Sequence, residues 1–194
     1  MPLFSFLLFV FISSFTPGPN NIMAMTFANK HGLKKTFTFC LGVSFGFFVL
    51  TLLCSFFNII LTSALPIIEF PLTILGVGYM LYLAVKILTS KGNTGENDEE
   101  NRNLFLIGIL LQFVNPKGIL FGLTVVATFI LPHYNSYSSF LICSLFLGMV
   151  GLMSTFSWSL FGSIFQKLLL QYRQQFNIVM AVLLVFSAVS ILVK

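Results

Sequence analysis

At 194 residues, with 57% hydrophobic residues, 8% charged residues and a mean hydropathy of +1.00, the chain lacks the composition of a soluble surface, where charge makes up about a quarter of residues. A soluble enzyme, a nucleic-acid-binding module and a secreted disulfide-stapled domain are all excluded. The net charge of +5 comes from Lys and Arg placed singly or in twos at the ends of apolar runs, which suits membrane topology and not a phosphate backbone.

About 20 apolar residues cross a bilayer core, so the pattern predicts an all-α integral membrane protein. The first predicted span is Leu3–Phe27. Its opening run, Leu3 to Phe15, resembles a signal-peptide core, but no basic residue precedes it and no A-x-A-like site follows, so it is expected to stay in the mature protein. A polar loop, Ala28 to Lys35, leads to the second span, Phe37–Thr62, and Ser63 to Pro66 to the third, Ile67–Leu88. Thr89 to Asn103 is the one long connection. Its acid- and Asn-rich stretch, 90–103, reads as a flexible cytoplasmic linker between units 1–89 and 104–194. A calcium site at Glu96, Asp98, Glu99 and Glu100 lacks the EF-hand spacing. The remaining spans are Leu104–Leu131, Ser139–Ile164 and Phe176–Val193, joined by Pro132 to Ser138 and Phe165 to Gln175.

Orientation follows from Lys and Arg. Lys30, Lys34 and Lys35 mark the first loop, Lys86, Lys91 and Arg102 the third and its flanks, and Lys167 and Arg173 the fifth, while the second and fourth have neither type. The odd loops are therefore expected in the cytoplasm, with both termini outside.

The halves overlay at offsets near one hundred residues: Ala84-Val85-Lys86-Ile87-Leu88 against Ala188-Val189-Ser190-Ile191-Leu192, Pro17 against Pro116, and Gly42 and Gly46 against Gly148 and Gly151. Three spans per half make the second copy inverted, so the expected architecture is six transmembrane helices in two inverted three-helix repeats. The first helix of each repeat is interrupted, at Thr16-Pro17-Gly18-Pro19-Asn20-Asn21 and at Gln112-Phe113-Val114-Asn115-Pro116-Lys117-Gly118. A straight helix from Leu104 to Leu131 would run about 42 Å against a core of about 30 Å, and each proline removes a backbone donor, so both spans should break near mid-membrane. Freed backbone groups are tolerable only where they face protein or a wet cavity, which points to a transporter binding site.

Lys117 lies about 13 residues from either end of its apolar stretch, too deep to snorkel, where a lone cation costs at least about 2.5 kcal/mol. It serves the site, or reaches a surface because the fourth segment is irregular, or hydrogen-bonds the carbonyls of the broken helix purely for structure. For a zwitterionic substrate, the half-helix beginning near Asn20, reinforced by Lys117, offers donors to the carboxylate. The carbonyls orphaned before Pro17 and Pro116, with Asn21, Asn115 and Gln112, offer acceptors to the ammonium. The expected binding set is thus Pro17, Gly18, Pro19, Asn20, Asn21, Gln112, Asn115, Pro116 and Lys117, with Tyr79, Tyr82 and Trp158 as candidate walls.

Cys40, Cys54 and Cys143 sit singly in apolar segments without metal-ligand spacing and read as small buried hydrophobes, so no metal or other cofactor is expected. Glu69, between Pro66 and Pro71, reads as interfacial, and His31 and His133 as loop residues. No nucleophile-base pair, metal pair or paired carboxylates stand at membrane depth, which argues against an intramembrane enzyme. A channel or a structural membrane subunit is the alternative to a carrier.

The PGPNN-type break at Pro17–Asn21, with His31-Gly32 and Gly42 after it, and Asn115-Pro116-Lys117 in the fourth span resemble the LysE/RhtB family of bacterial amino-acid exporters. The similarity extends through Gly42 to Phe47, Leu111 to Pro132 and Gln175 to Val179, and looks most like the cysteine/O-acetylserine exporter branch. The resemblance implies proton-driven export of a small neutral amino acid across a bacterial plasma membrane. Lys117 and the substrate itself are both candidates to carry the proton, and a homo-oligomer is left open.

Overall fold

The computed structural model describes residues 1–89, 103–165 and 171–192, with backbone alone for 58–66, 68, 69 and 173. The acidic stretch with Lys91 and Arg102, together with Lys167 and Lys194, lies outside the described residues, as do the side chains of Glu69 and Arg173. Among the described residues all regular structure is helical: α1 (Leu3–Phe15), α2 (Pro19–Phe56), α3 (Asn58–Leu88), α4 (Leu104–Val114), α5 (Pro116–Val125) with a π-helical turn Val126–Ile130, α6 (Tyr137–Ile164) and α7 (Arg173–Leu192).

Among the described residues four stretches are long and apolar enough to cross a membrane: Pro19–Phe56, Phe70–Leu88, Tyr137–Ile164 and Gln174–Leu192. A fifth forms if α4 and Pro116–Ile130, bent by 66°, count as one. The chain is therefore a multi-pass membrane protein. Its outer face agrees with lipid contact: Phe4, Ile142 and Phe186 are 80%, 65% and 68% exposed, a display of apolar surface unsuited to water.

The difference from six expected crossings arises at the N-terminal end. Alone, α1 is about 20 Å long, shorter than the apolar core. The 38 residues of α2 are not one straight rod. Gly32 inside it has φ 78 and ψ 166, a left-handed-side conformation that a residue without Cβ adopts at little cost. The Phe27 and Phe39 rings then meet edge to face with centroids 5.1 Å apart, although a straight helix would set them about 18 Å apart along its axis. Ser159 likewise lies 3.5 Å from the Ala24 carbonyl and 3.3 Å from Cys40 Sγ. The helix reverses at Gly32 into two arms.

Two expected connections are corrected by this arrangement. The polar run Ala28 to Lys35 is helical except at Gly32, because polar residues mark where a helix leaves the apolar layer and not where its hydrogen-bond ladder ends. Ser63 to Pro66 is no loop: the turn falls at Phe57 (φ −95, ψ 27), where Ser55 and Asn58 are two isolated polar residues in an apolar run and a weaker signal than the Ser63-to-Pro66 segment. Elsewhere the ends obey local chemistry. Asn103 accepts from the Leu106 amide at 3.2 Å and Ser136 from the Ser139 amide at 3.2 Å, while Pro19 and Pro116 occupy first-turn positions where no backbone donor is needed.

Close packing around α2 sets the frame of the site. A Cβ on Gly42 would strike the Phe105 carbonyl, one on Gly108 the Phe39 carbonyl, and one on Gly162 the Met25 carbonyl, so α4 and α6 approach the α2 arms backbone to backbone. Cys40 is buried with Phe39, Ala24 and Val43 at this junction, and Cys54 is buried beside Phe47 and Leu50. A second cluster joins Met80, Leu83 and Ala84 of α3 to Ala181, Leu184 and Ala188 of α7, with Ile22 and Met25 of α2 against it.

Candidate functional site

Both helix breaks follow from proline. Thr16 ends α1 with its amide on the Ile12 carbonyl at 3.1 Å and then turns extended, Pro17 cannot continue the ladder, and Gly18 is the extended residue before α2 starts at Pro19. In the second half Asn115, extended at φ −78 and ψ 102, separates α4 from α5, which starts at Pro116. Ile22 and Ile119 are the first residues to close intrahelical bonds, onto Gly18 and Asn115 at 3.0 Å each. The amides of Asn20, Asn21, Lys117 and Gly118 therefore lie beyond the ladder, at two positive helix ends.

The two breaks meet. Asn20 Nδ2 donates to Gln112 Oε1 at 2.6 Å, across 92 residues of sequence. Lys117 Nζ donates to Thr16 Oγ1 at 2.8 Å, to the Thr16 carbonyl at 3.1 Å and to the Pro17 carbonyl at 3.0 Å. These bonds use all three ammonium protons, and the negative end of α1 serves as counter-charge. Gly18 leaves room for this contact, since a Cβ there would stand 2.9 Å from Lys117 Cδ.

The carbonyls before Pro17, expected to receive a substrate ammonium, are instead occupied. Asn21 Nδ2 donates to those of Ser14 at 2.8 Å and Thr16 at 3.0 Å, Ser154 Oγ to Ser14 at 2.6 Å, Trp158 Nε1 to Phe15 at 3.2 Å, and Ser187 Oγ to Pro17 at 2.7 Å. The free polar atoms lie elsewhere. Among the described residues Ser14 Oγ, Asn20 Oδ1, Asn115 Oδ1, Gln112 Nε2 and Ser144 Oγ are buried without a partner, and all of these residues but Ser144 line one cavity of about 70 Å³. That volume is room for several waters or a small solute.

Of the residues expected at the site, Gly18, Asn20, Asn21, Gln112, Asn115 and Lys117 share this cavity. Pro17 presents its carbonyl to Lys117, Pro19 is buried at the start of α2, and Pro116 rests against Gly76, whose Cβ would fall 2.6 Å from the proline ring. The candidate walls Tyr79, Tyr82 and Trp158 are not part of the lining. Tyr79 and Trp158 pack on the α3–α7 cluster, and Tyr82 is exposed with Lys86 Nζ 5.8 Å from its ring centre. The wall is made by Val43, Phe47, Phe121, Gly151 and Thr155, with Ser13, Ser14, Ser154 and Gly118 at its polar side. Ser13-Ser14 just before one break and Ser154-Thr155 within an apolar span were the available signals.

A multi-pass helical protein with a polar cavity held between interrupted helices has the build of a small-solute carrier. Residues 11–194 match the family described as LysE type translocator, and the chain belongs to that family: it is a transporter and not an enzyme. It is 38% identical over 188 residues to the cysteine/O-acetylserine efflux protein of Escherichia coli O1:K1 / APEC, covering 96% of this chain and 95% of that one. The protein of the same name from Salmonella choleraesuis (strain SC-B67) is 38% identical over 191 residues, covering 98% and 97%. No solved structure matches the chain.

Proposed function

We propose that the protein exports a small neutral amino acid, cysteine, O-acetylserine or a close analogue, from the cytoplasm by alternating access at the cavity between the two breaks. The observation that carries the proposal is the set of unpartnered buried atoms there, Ser14 Oγ, Asn20 Oδ1, Asn115 Oδ1 and Gln112 Nε2. Leaving such groups unpaired is costly, and an ammonium on the three oxygens with a carboxylate at Gln112 and the helix N-termini satisfies them. Among the described residues Lys117 is the one charged residue in the lining, which favours a substrate without a charged side chain. The names of the efflux relatives supply the substrate guess.

The same proposal takes the chain as six crossings in two inverted halves, 1–89 and 104–194, on either side of a cytoplasmic linker. The reversal at Gly32 supports it, because it makes two crossings of α2, and so does the like placement of the two proline breaks. The membrane is the bacterial inner membrane, both termini are extracytoplasmic, and the driving force is the proton gradient.

The test is efflux of radiolabelled cysteine and O-acetylserine from preloaded cells, with intact protein or empty vector, with and without a protonophore. Faster efflux with the intact protein, slowed by the protonophore, is expected. Efflux that never saturates would make it a channel, and no efflux from a well-inserted protein would end the exporter reading for these compounds.

A further inference from the structure

Three glycines line the cavity, and two have evident packing reasons. Gly18 admits the Lys117 side chain, and a Cβ on Gly118 would strike Gln112 Nε2. Gly151 differs. It stands inside α6, where glycine is a poor helix residue, and a Cβ there would make one ordinary contact, 3.6 Å from Phe47 Cδ1, with nothing else within 4 Å. Gly148, one turn earlier, has the Ser44 carbonyl 3.3 Å from a Cβ and Phe48 Cβ at 3.2 Å, so it serves helix packing. Packing therefore does not account for Gly151; empty volume does.

That volume adjoins the apolar side of the cavity. Phe47 and Phe121 stack there, centroids 5.3 Å apart and rings 16° from parallel, beside Val43. With the charged groups of an amino acid held at the breaks, its side chain extends toward this wall. We infer that Gly151, facing Phe47, sets the upper size of the exported amino acid's side chain, so that the site takes short uncharged side chains and excludes branched or long ones. The inference rests on the exporter reading and adds a specificity-determining residue to it.

The test uses the purified full chain in proteoliposomes preloaded with radiolabelled cysteine, O-acetylserine or leucine, comparing unmutated protein, Gly151→Ala and Phe121→Ala. A methyl group intruding on a fitted pocket discriminates by about tenfold or more, so Gly151→Ala should lower O-acetylserine efflux relative to cysteine efflux by about that factor. Phe121→Ala should shift the ratio the opposite way and admit leucine. An unchanged ratio in both variants, or equal loss of both compounds in a well-inserted Gly151→Ala, overturns the inference and leaves the exporter reading standing. If Gly151→Ala does not insert, the ratio in Phe121→Ala decides alone. Unmutated protein that moves none of the compounds overturns the exporter reading, and the inference with it.

Discussion

Asn20 and Gln112 hold the first turn after one helix break to the last turn before the other, with Asn20 Nδ2 2.6 Å from Gln112 Oε1. Each amide spends one end on its partner and leaves the other, Asn20 Oδ1 and Gln112 Nε2, buried and free. One contact thus joins the halves of the chain and displays an acceptor beside a donor.

Replacing one member of this pair strands the other. Asn20→Leu and Gln112→Leu should each destabilise the protein by about 1–3 kcal/mol, while the double variant, with neither group left unpaired, should recover part of that loss. Thermal unfolding in detergent measures the recovery. Efflux should fall in all three, because each variant removes at least one of the two free ends that face the cavity.

Lys117 permits a sharper separation of structure from transport. Each carbonyl it caps has a second donor, Asn21 for Thr16 and Ser187 for Pro17. Lys117→Met should therefore insert at normal levels and unfold within about 2 kcal/mol of the unmutated protein. Efflux of cysteine should fall at least about tenfold. A variant that is degraded or fails to insert would mark Lys117 as a structural cap.

Among glycines away from the cavity, the direction of a Cβ decides the outcome. Gly42→Ala drives a methyl into the Phe105 carbonyl, where only a backbone shift makes room, and should cost about 1–3 kcal/mol and lower the monodisperse yield in detergent. Gly78→Ala meets nothing within 4 Å and should be neutral or stabilising by up to about 1 kcal/mol.

The reversal at Gly32 gives a topological expectation. Reporters inserted next to Gly32 and fused after Lys194 should score on opposite sides, cytoplasmic and extracytoplasmic respectively. Gly32→Val, which puts a branched residue at φ 78, should lower insertion or stability by about 1–2 kcal/mol.

Much of the site was legible because proline acts locally. Pro17-Gly18-Pro19 and Asn115-Pro116 pair proline with glycine or asparagine and mark the two breaks, whereas Pro66 and Pro71 stand inside α3 without ending it; Lys117 announces itself by its depth, so Gly18, Asn20, Asn21, Gln112 and Asn115 could be gathered from sequence. The aromatic walls were not legible. Whether Trp158 faces the cavity or the Phe15 carbonyl depends on how α6 is rotated against α2, and that rotation is set by contacts such as Gly162 on Met25, far away in sequence. The turn at Phe57 was hidden for a different reason: only Ser55 and Asn58 interrupt the apolar run there, and the polar, proline-bearing Ser63 to Pro66 drew the boundary instead.

Ser187 of α7 bonds the Pro17 carbonyl at 2.7 Å, and Gly76 of α3 lies against the Pro116 ring. Thus α7 rests on the first break and α3 on the second, and these two helices are themselves packed together. The two breaks are braced crosswise by one packed pair of helices, so a strain at either break bears on the same pair.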